Sequence, residues 1–187
     1  VVTIGYGVLL PQHILDLPKF GFINLHFSLL PSYRGAAPAQ RALQNGEVVT
    51  GVSVFQLEKG MDTGPIYSKK SVAIEPHWRS FELLQALAQE GPSAVRDALT
   101  MISAGQLPSA QEGEPSFAPK ISKQEAQLNF SEGAQTLVNK VRAFTYEPGA
   151  WCHWKEESFK ITSAITVGDH VLDPGVIAIE GQRVIVG

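Results

Sequence analysis

The 187 residues, 44% hydrophobic and 18% charged, suffice for one large or two small globular domains, and no apolar run is long enough for a membrane helix. A single cysteine, Cys152, excludes an internal disulfide, and His13, His26, His77, His153 and His170 lack zinc-site spacing, so a reducing cytoplasmic setting without a metal is expected. The net charge of −3 is spread evenly, with 8 Lys/Arg against 10 Asp/Glu over residues 1–119 and 7 against 8 beyond, so no basic tail advertises nucleic acid.

The chain opens on Val1-Val2-Thr3-Ile4, which reads as a buried strand and lacks the basic start of a signal peptide. Both ends lie within strand-like sequence, so the chain is expected to be truncated at both ends. A glycine-flexed loop runs from Gly5 to Pro11, and a short helix is predicted over Gln12 to Leu17, stopped by Pro18. The strand Phe22 to Phe27 follows, then a Pro/Gly/Ala loop and a helix over Ala39 to Gln44 that ends at Asn45-Gly46. Two β-rich runs, Gly51 to Leu57 and Pro65 to Ile74, flank the turn Lys59-Gly60-Met61-Asp62-Thr63-Gly64. Ser80 is a candidate cap for a helix carrying Phe81, Leu84, Leu87 and Ala88 on one face. Gly91-Pro92 is expected to interrupt it before Val95, Leu99 and Ile102. Strands alternating with helices predict an α/β layer with a mostly parallel sheet over residues 1–105.

Residues 106–119 hold three prolines and a Gln-Glu-Gly-Glu run, the composition of a linker. Beyond it, over 120–187, an amphipathic helix (Ala134, Leu137, Val138, Val141, Phe144) precedes short strands at Ala150 to Trp154 and Phe159 to Thr166. A hairpin is predicted from Val176 to Val186, which gives a small β-barrel-like domain of OB type.

The most informative stretch is Asn24-Leu25-His26-Phe27-Ser28-Leu29-Leu30-Pro31. In a strand, side chains alternate faces, so Ile23, Leu25 and Phe27 share one face while Asn24, His26 and Ser28 line the other. A polar row beside an apolar turn suits a small-molecule site, although a solvated strand face shows the same period. Asp62, between two glycines, is a good turn former and equally a candidate partner for His26. A carboxylate beside an imidazole favours its charged form and fixes its tautomer. With the Asn24 amide, such a pair would stabilise an oxyanion and suit acyl transfer without a covalent intermediate. Ser28 lacks the Gly-x-Ser-x-Gly elbow of a hydrolase nucleophile, Gly5-Tyr6-Gly7 is too short for a dinucleotide fingerprint, and Gly60 to Gly64 lacks the P-loop Lys. Arg34 and Arg41 flank the alanine-rich loop and are weaker candidates for phosphate contact.

Asn24-x-His26-x-Ser28-Leu29-Leu30-Pro31, with Asp62 downstream, resembles the signature of the formyltransferases that use 10-formyltetrahydrofolate as a one-carbon donor. Arg34-Gly35-Ala36-Ala37-Pro38-Ala39-Gln40-Arg41, Gly60-Met61-Asp62-Thr63-Gly64, Ala118-Pro119-Lys120-Ile121 and Asn129-Phe130 resemble the branch that formylates methionyl-tRNA. The resemblance implies a Rossmann-like catalytic domain, here in part, followed by part of a barrel-like domain. It implies 10-formyltetrahydrofolate as co-substrate and initiator methionyl-tRNA as acceptor, with no metal, no membrane and no protein partner.

By the same resemblance Asn24 and His26 bind and polarise the formyl oxygen, and Asp62 orients His26 and helps remove the amine proton through water. Ser28, Leu29, Leu30 and Pro31 would border the folate, with Val8, Leu9 and Leu10 as walls of the pterin pocket. Phe27 stands where many relatives carry Gly, a change expected to alter packing behind the strand more than chemistry.

Overall fold

Period-two alternation in the first strands builds the sheet on which the site stands. The computed structural model describes residues 1–168 and 172–187, so His170 lies outside the described residues. β1 (Val2–Ile4) pairs in parallel with β2 (Ile23–His26), placing Thr3 opposite Asn24. α1 (Gln12–Leu15) lies between them in sequence and ends before Pro18. The expected burial of β1 is not met: Val2 and Ile4 are 41% and 61% exposed, because β1 is an edge strand with β2 as its one neighbour.

After β2 the chain turns through β3 (Arg34–Gly35) into α2 (Pro38–Gln44). Pro38 occupies the first helical turn, where its missing N–H costs nothing, and Gly46 closes the end at φ +72°. β4 (Val49–Gln56) and β5 (Ile66–Ala73) follow and complete a four-stranded sheet in the order β1-β2-β4-β5. The α/β class holds, but the mostly parallel sheet needs correction here: β2–β4 and β4–β5 are antiparallel, and β1–β2 alone is parallel. The nine-residue connection from β4 to β5, residues 57–65, is too short for a crossover helix, which forces antiparallel pairing.

α3 (Ser80–Ser103) covers one face of this sheet. The expected break at Gly91-Pro92 does not occur. One 24-residue helix passes through it, burying Leu83, Leu87, Gly91, Ala94 and Ala98 along one stripe. Gly91 lies against Leu25, whose Cδ2 would be 2.8 Å from a Cβ at this position and would have to shift to admit one. Ser80 is not the cap either. Arg79 precedes the helix, its N–H donating to Glu82 at 3.0 Å, while the Ser80 hydroxyl donates to the Thr145 carbonyl.

Residues 106–119 are a strap rather than a free tether. Ser109 exchanges two backbone hydrogen bonds with Ile66 (2.7 and 2.9 Å), and β6 (Phe117–Ala118) pairs in parallel with β3. α4 (Ala134–Phe144) then packs on α2, and Val141 and Phe144 join Ala39, Ala42, Leu43, Val52 and Leu87 in one core. Arg41 donates to both Glu125 carboxylate oxygens and to Pro119 O, pinning the start of this region to α2. β7 (Trp151–Trp154) pairs with β8 (Glu157–Lys160), and β9 (Ile177–Glu180) with β10 (Arg183–Val186). Among the described residues these are two separate hairpins and do not close into a barrel. No described helix is long and apolar enough to cross a membrane.

Candidate active site

The polar row of β2 opens onto a cavity of about 360 Å³ whose lining includes Thr3, Asn24, His26 and Asp62, with Val8, Leu9 and Leu10 on the opposite wall. Val8 and Leu9 are 68% and 64% exposed, apolar side chains left uncovered on a glycine-flanked loop. Such a wall facing a few convergent polar groups suits a flat, partly apolar ligand.

Each polar group has one atom fixed by the fold and another left to act. Thr3 Oγ1 donates to Asn24 Oδ1 at 2.9 Å, an arrangement set by the Thr3–Asn24 register. With Oδ1 taken, Nδ2 of Asn24 has no protein acceptor among the described residues and stands as a donor. His26 is 6% exposed, and its Nε2 lies 2.9 Å from the Tyr33 carbonyl. A carbonyl only accepts, so Nε2 carries the proton, and Nδ1 is the atom left for chemistry. Asp62 Oδ2 lies 3.7 Å from Nδ1, where it compensates positive charge gathering on the ring.

Asp62 is held in turn by the backbone. Its φ is +53°, a left-handed conformation that Asp tolerates better than most residues, and Oδ2 accepts the Gly35 N–H at 2.7 Å. Gly64, two residues on, sits so close to β4 that a Cβ would fall 1.8 Å from Gln56 O. Close packing on backbone thus accounts for Gly64, while Gly60 lies against the Thr63 side chain.

The structure brings Asn24, His26, Asp62, Val8, Leu9 and Leu10 together. Ser28, Leu29, Leu30 and Pro31 are not among the residues lining this cavity; they form the turn that follows β2. Ser28 is fully buried with its hydroxyl donating to Ser32 O at 2.6 Å. Leu30 packs with Phe55 and Ile66, and Ser53 Oγ bridges the turn, accepting from Leu30 N and donating to Ser28 O. A tight turn leaves backbone polar groups that must be satisfied, and these residues satisfy them. They are the scaffold behind His26. Arg34 and Arg41 do not offer a phosphate site either: Arg34 donates to Gln111 Oε1 through Nε and Nη2 (3.2 and 2.6 Å), and Arg41 is engaged with Glu125.

Three contributors escape sequence reasoning: the Tyr33 carbonyl, the Gly35 N–H and the side chain of Gln111. Backbone groups leave no trace in residue type. Thr3 had a signal, a lone hydroxyl at the centre of an apolar strand. Burial and the Glu47 carboxylate that accepts its hydroxyl push the Tyr33 phenol up to about 12. A larger apolar groove of about 730 Å³ lies on the opposite face of β1 and β2, between them and α3. It is lined by Val2, Ile4, Phe27, Val95 and Leu99 among others, with Arg96, Thr100 and Ser103 as its polar members.

A neutral amide donor and an imidazole backed by a carboxylate stand on a mixed α/β sheet beside a cavity with apolar lining. The chain belongs to the formyl transferase family. "Formyl transferase" matches residues 1–99 and "Formyl transferase, C-terminal domain" matches residues 120–187. It is 38% identical over 186 residues to "Methionyl-tRNA formyltransferase" of Arthrobacter sp. (strain FB24), covering 98% of this chain and 61% of that protein. The chain thus spans about three fifths of the length of the curated relatives it matches. Its fold is shared with "Methionyl-tRNA formyltransferase from Clostridium thermocellum" (TM-score 0.70, 16% identity, 100% of this chain and 75% of that one). HypX from Aquifex aeolicus, solved in complex with tetrahydrofolic acid, shares it too (TM-score 0.78, 19% identity, 100% of this chain and 33% of that one).

Proposed function

We propose that this chain carries the formyl-transfer site of an enzyme that formylates the amino group of initiator methionyl-tRNA. The observation that carries the reading is the convergence of Asn24 Nδ2, His26 Nδ1 and Asp62 on one cavity in a chain related over 98% of its length to a methionyl-tRNA formyltransferase. The residues present fit a folate: Val8, Leu9 and Leu10 offer apolar contact and Asn24 a free donor. When bound, 10-formyltetrahydrofolate supplies an electrophilic formyl carbon. Asn24 Nδ2 offers a hydrogen bond to the carbonyl oxygen as it gains charge under attack by the methionine amine. A proton taken up at His26 Nδ1, 3.7 Å from Asp62 Oδ2, would add positive potential at the same point. The Asp62 carboxylate takes the amine proton through water, the bond from the formyl carbon to N10 of the folate breaks, and N10 takes up a proton as tetrahydrofolate leaves. No covalent enzyme intermediate is needed.

In this reading residues 1–105 are the later part of the catalytic domain, 106–119 the connection, and 120–187 part of a second domain that helps hold the tRNA. The reaction serves translation initiation in the cytoplasm. The test offers the purified full-length protein 10-formyltetrahydrofolate with methionyl-initiator tRNA, an amino-sugar nucleotide or glycinamide ribonucleotide. Formylation of methionyl-tRNA alone is expected. Formylation of a small amine but not of methionyl-tRNA overturns the reading.

A further inference from the structure

Gln111 lies in the connection between the two matched regions, far in sequence from the site, yet it contacts the Asp62 turn directly. Its Nε2 donates to Asp62 O and to Gly64 O, both at 2.8 Å. Its Oε1 accepts from Arg34 Nε and Nη2. One planar amide thus spends both N–H groups on the turn that carries Asp62 and its oxygen on the residue preceding Gly35, whose N–H holds Asp62 Oδ2. The same strap holds the other side of the histidine. Ser116 Oγ accepts from Tyr33 N at 2.9 Å, Ser116 O accepts from Arg34 N, and the Tyr33 carbonyl accepts from His26.

We propose that Gln111 is a positioning residue for formyl transfer, locking the Asp62 turn so that the carboxylate faces His26 Nδ1; this rests on the function proposed above. Asp62 sits at φ +53°, in the left-handed region, and two carbonyls of that turn are held by a single side chain. The geometry demands an amide. A carboxylate at this position keeps the Arg34 contact but sets an acceptor against two carbonyls, and alanine removes both sets of bonds.

The test compares Gln111→Glu, Gln111→Ala and Gln111→Asn in the full-length protein by two readouts. Gln111→Glu and Gln111→Ala are expected to lower kcat roughly 10- to 100-fold, the size of a small displacement of a catalytic group, with the KM for the folate changed less than about threefold. Hydrogen exchange of the amides of residues 60–64 is expected to accelerate at least tenfold in both variants, with unchanged protection in α3. Gln111→Asn, one methylene shorter, cannot span both partners and is expected to fall between. Exchange over 60–64 at the wild-type rate in Gln111→Ala overturns the clamp whether or not the protein formylates anything. Faster exchange with wild-type kcat leaves Gln111 structural and overturns its positioning role. A wild-type protein without formyl-transfer activity instead refutes the reading of function on which the proposal rests.

Discussion

Asp62→Asn isolates the charge of the His26–Asp62 pair. An Asn in the same rotamer keeps an oxygen for the Gly35 N–H, which Asp62 Oδ2 now accepts at 2.7 Å, so the turn keeps its anchor while the negative charge is lost. Oδ2 and Nδ1 are 3.7 Å apart and the two side chains are 7% and 15% exposed, so solvent screens them little. Unit charges about 4 Å apart attract by about 4 kcal/mol at an effective dielectric constant of about 20. If His26 is fully charged in the transition state, removing that attraction slows turnover by about 10³-fold; half a charge on the ring gives about 30-fold. Single-turnover formyl transfer under saturating folate measures this directly, with urea unfolding as the control for the fold. We expect a drop of 30- to 10³-fold, roughly, with unfolding free energy within about 1 kcal/mol of wild type, the size of one hydrogen bond. Turnover within about threefold of wild type in a normally folded variant would show that Asp62 does not support charge on His26, and the argument from geometry would fail.

Three further outcomes follow from the same coordinates. Thr3→Val removes the hydroxyl that holds Asn24 Oδ1, freeing the amide to rotate. It should lower kcat about tenfold while leaving folate affinity and stability near wild type; an unaltered kcat would mean that Asn24 needs no such anchor. Gly64→Ala places a Cβ 1.8 Å from Gln56 O, a backbone clash, and should cost more than about 4 kcal/mol in denaturant unfolding. A loss under about 1 kcal/mol would show that the turn gives way freely. The hydrogen bonds from Arg41 hold the Glu125 carboxyl below its usual value of 4.5. Its folded pKa is the lower one, so its contribution to stability is present above about pH 4.5 and is lost as pH falls through the folded value. The stability gap between wild type and Glu125→Gln should therefore be full at pH 7 and close as pH falls below 4.5 and through the folded value; a gap independent of pH would contradict the assignment.

How much of this was legible in the sequence depends on which physical effect decided each element. Alternation around Asn24 and His26 placed β2 and its two faces correctly, because a strand buried on one side has no freedom to change register. Residue type sufficed for α2 and α4, whose Pro, Gly and apolar spacing agree with their packing. The interruption at Gly91-Pro92 was misread because a local propensity was overridden by burial of one long stripe against β2 and β4. Parallel pairing was over-read because alternating elements were taken for crossovers, when the short connection over residues 57–65 permits none. In the site, Asn24, His26 and Asp62 were visible as chemistry-bearing side chains. For Ser28 to Pro31 the motif records which residues recur together but not which way they face, and in the structure they close the turn after β2. Gln111 was invisible, since its role depends on a chain path that brings residue 111 beside residue 62.

The central claim is that His26 promotes the chemical step rather than binding of the co-substrate. The most direct measurement is single-turnover formylation of methionyl-tRNA by His26→Ala, paired with titration of the same variant with the folate. Loss of one charged donor at a developing oxyanion predicts a rate lowered by about 10²- to 10³-fold with folate affinity within about threefold of wild type. Undiminished turnover, or a loss explained wholly by weakened folate binding, would contradict the account.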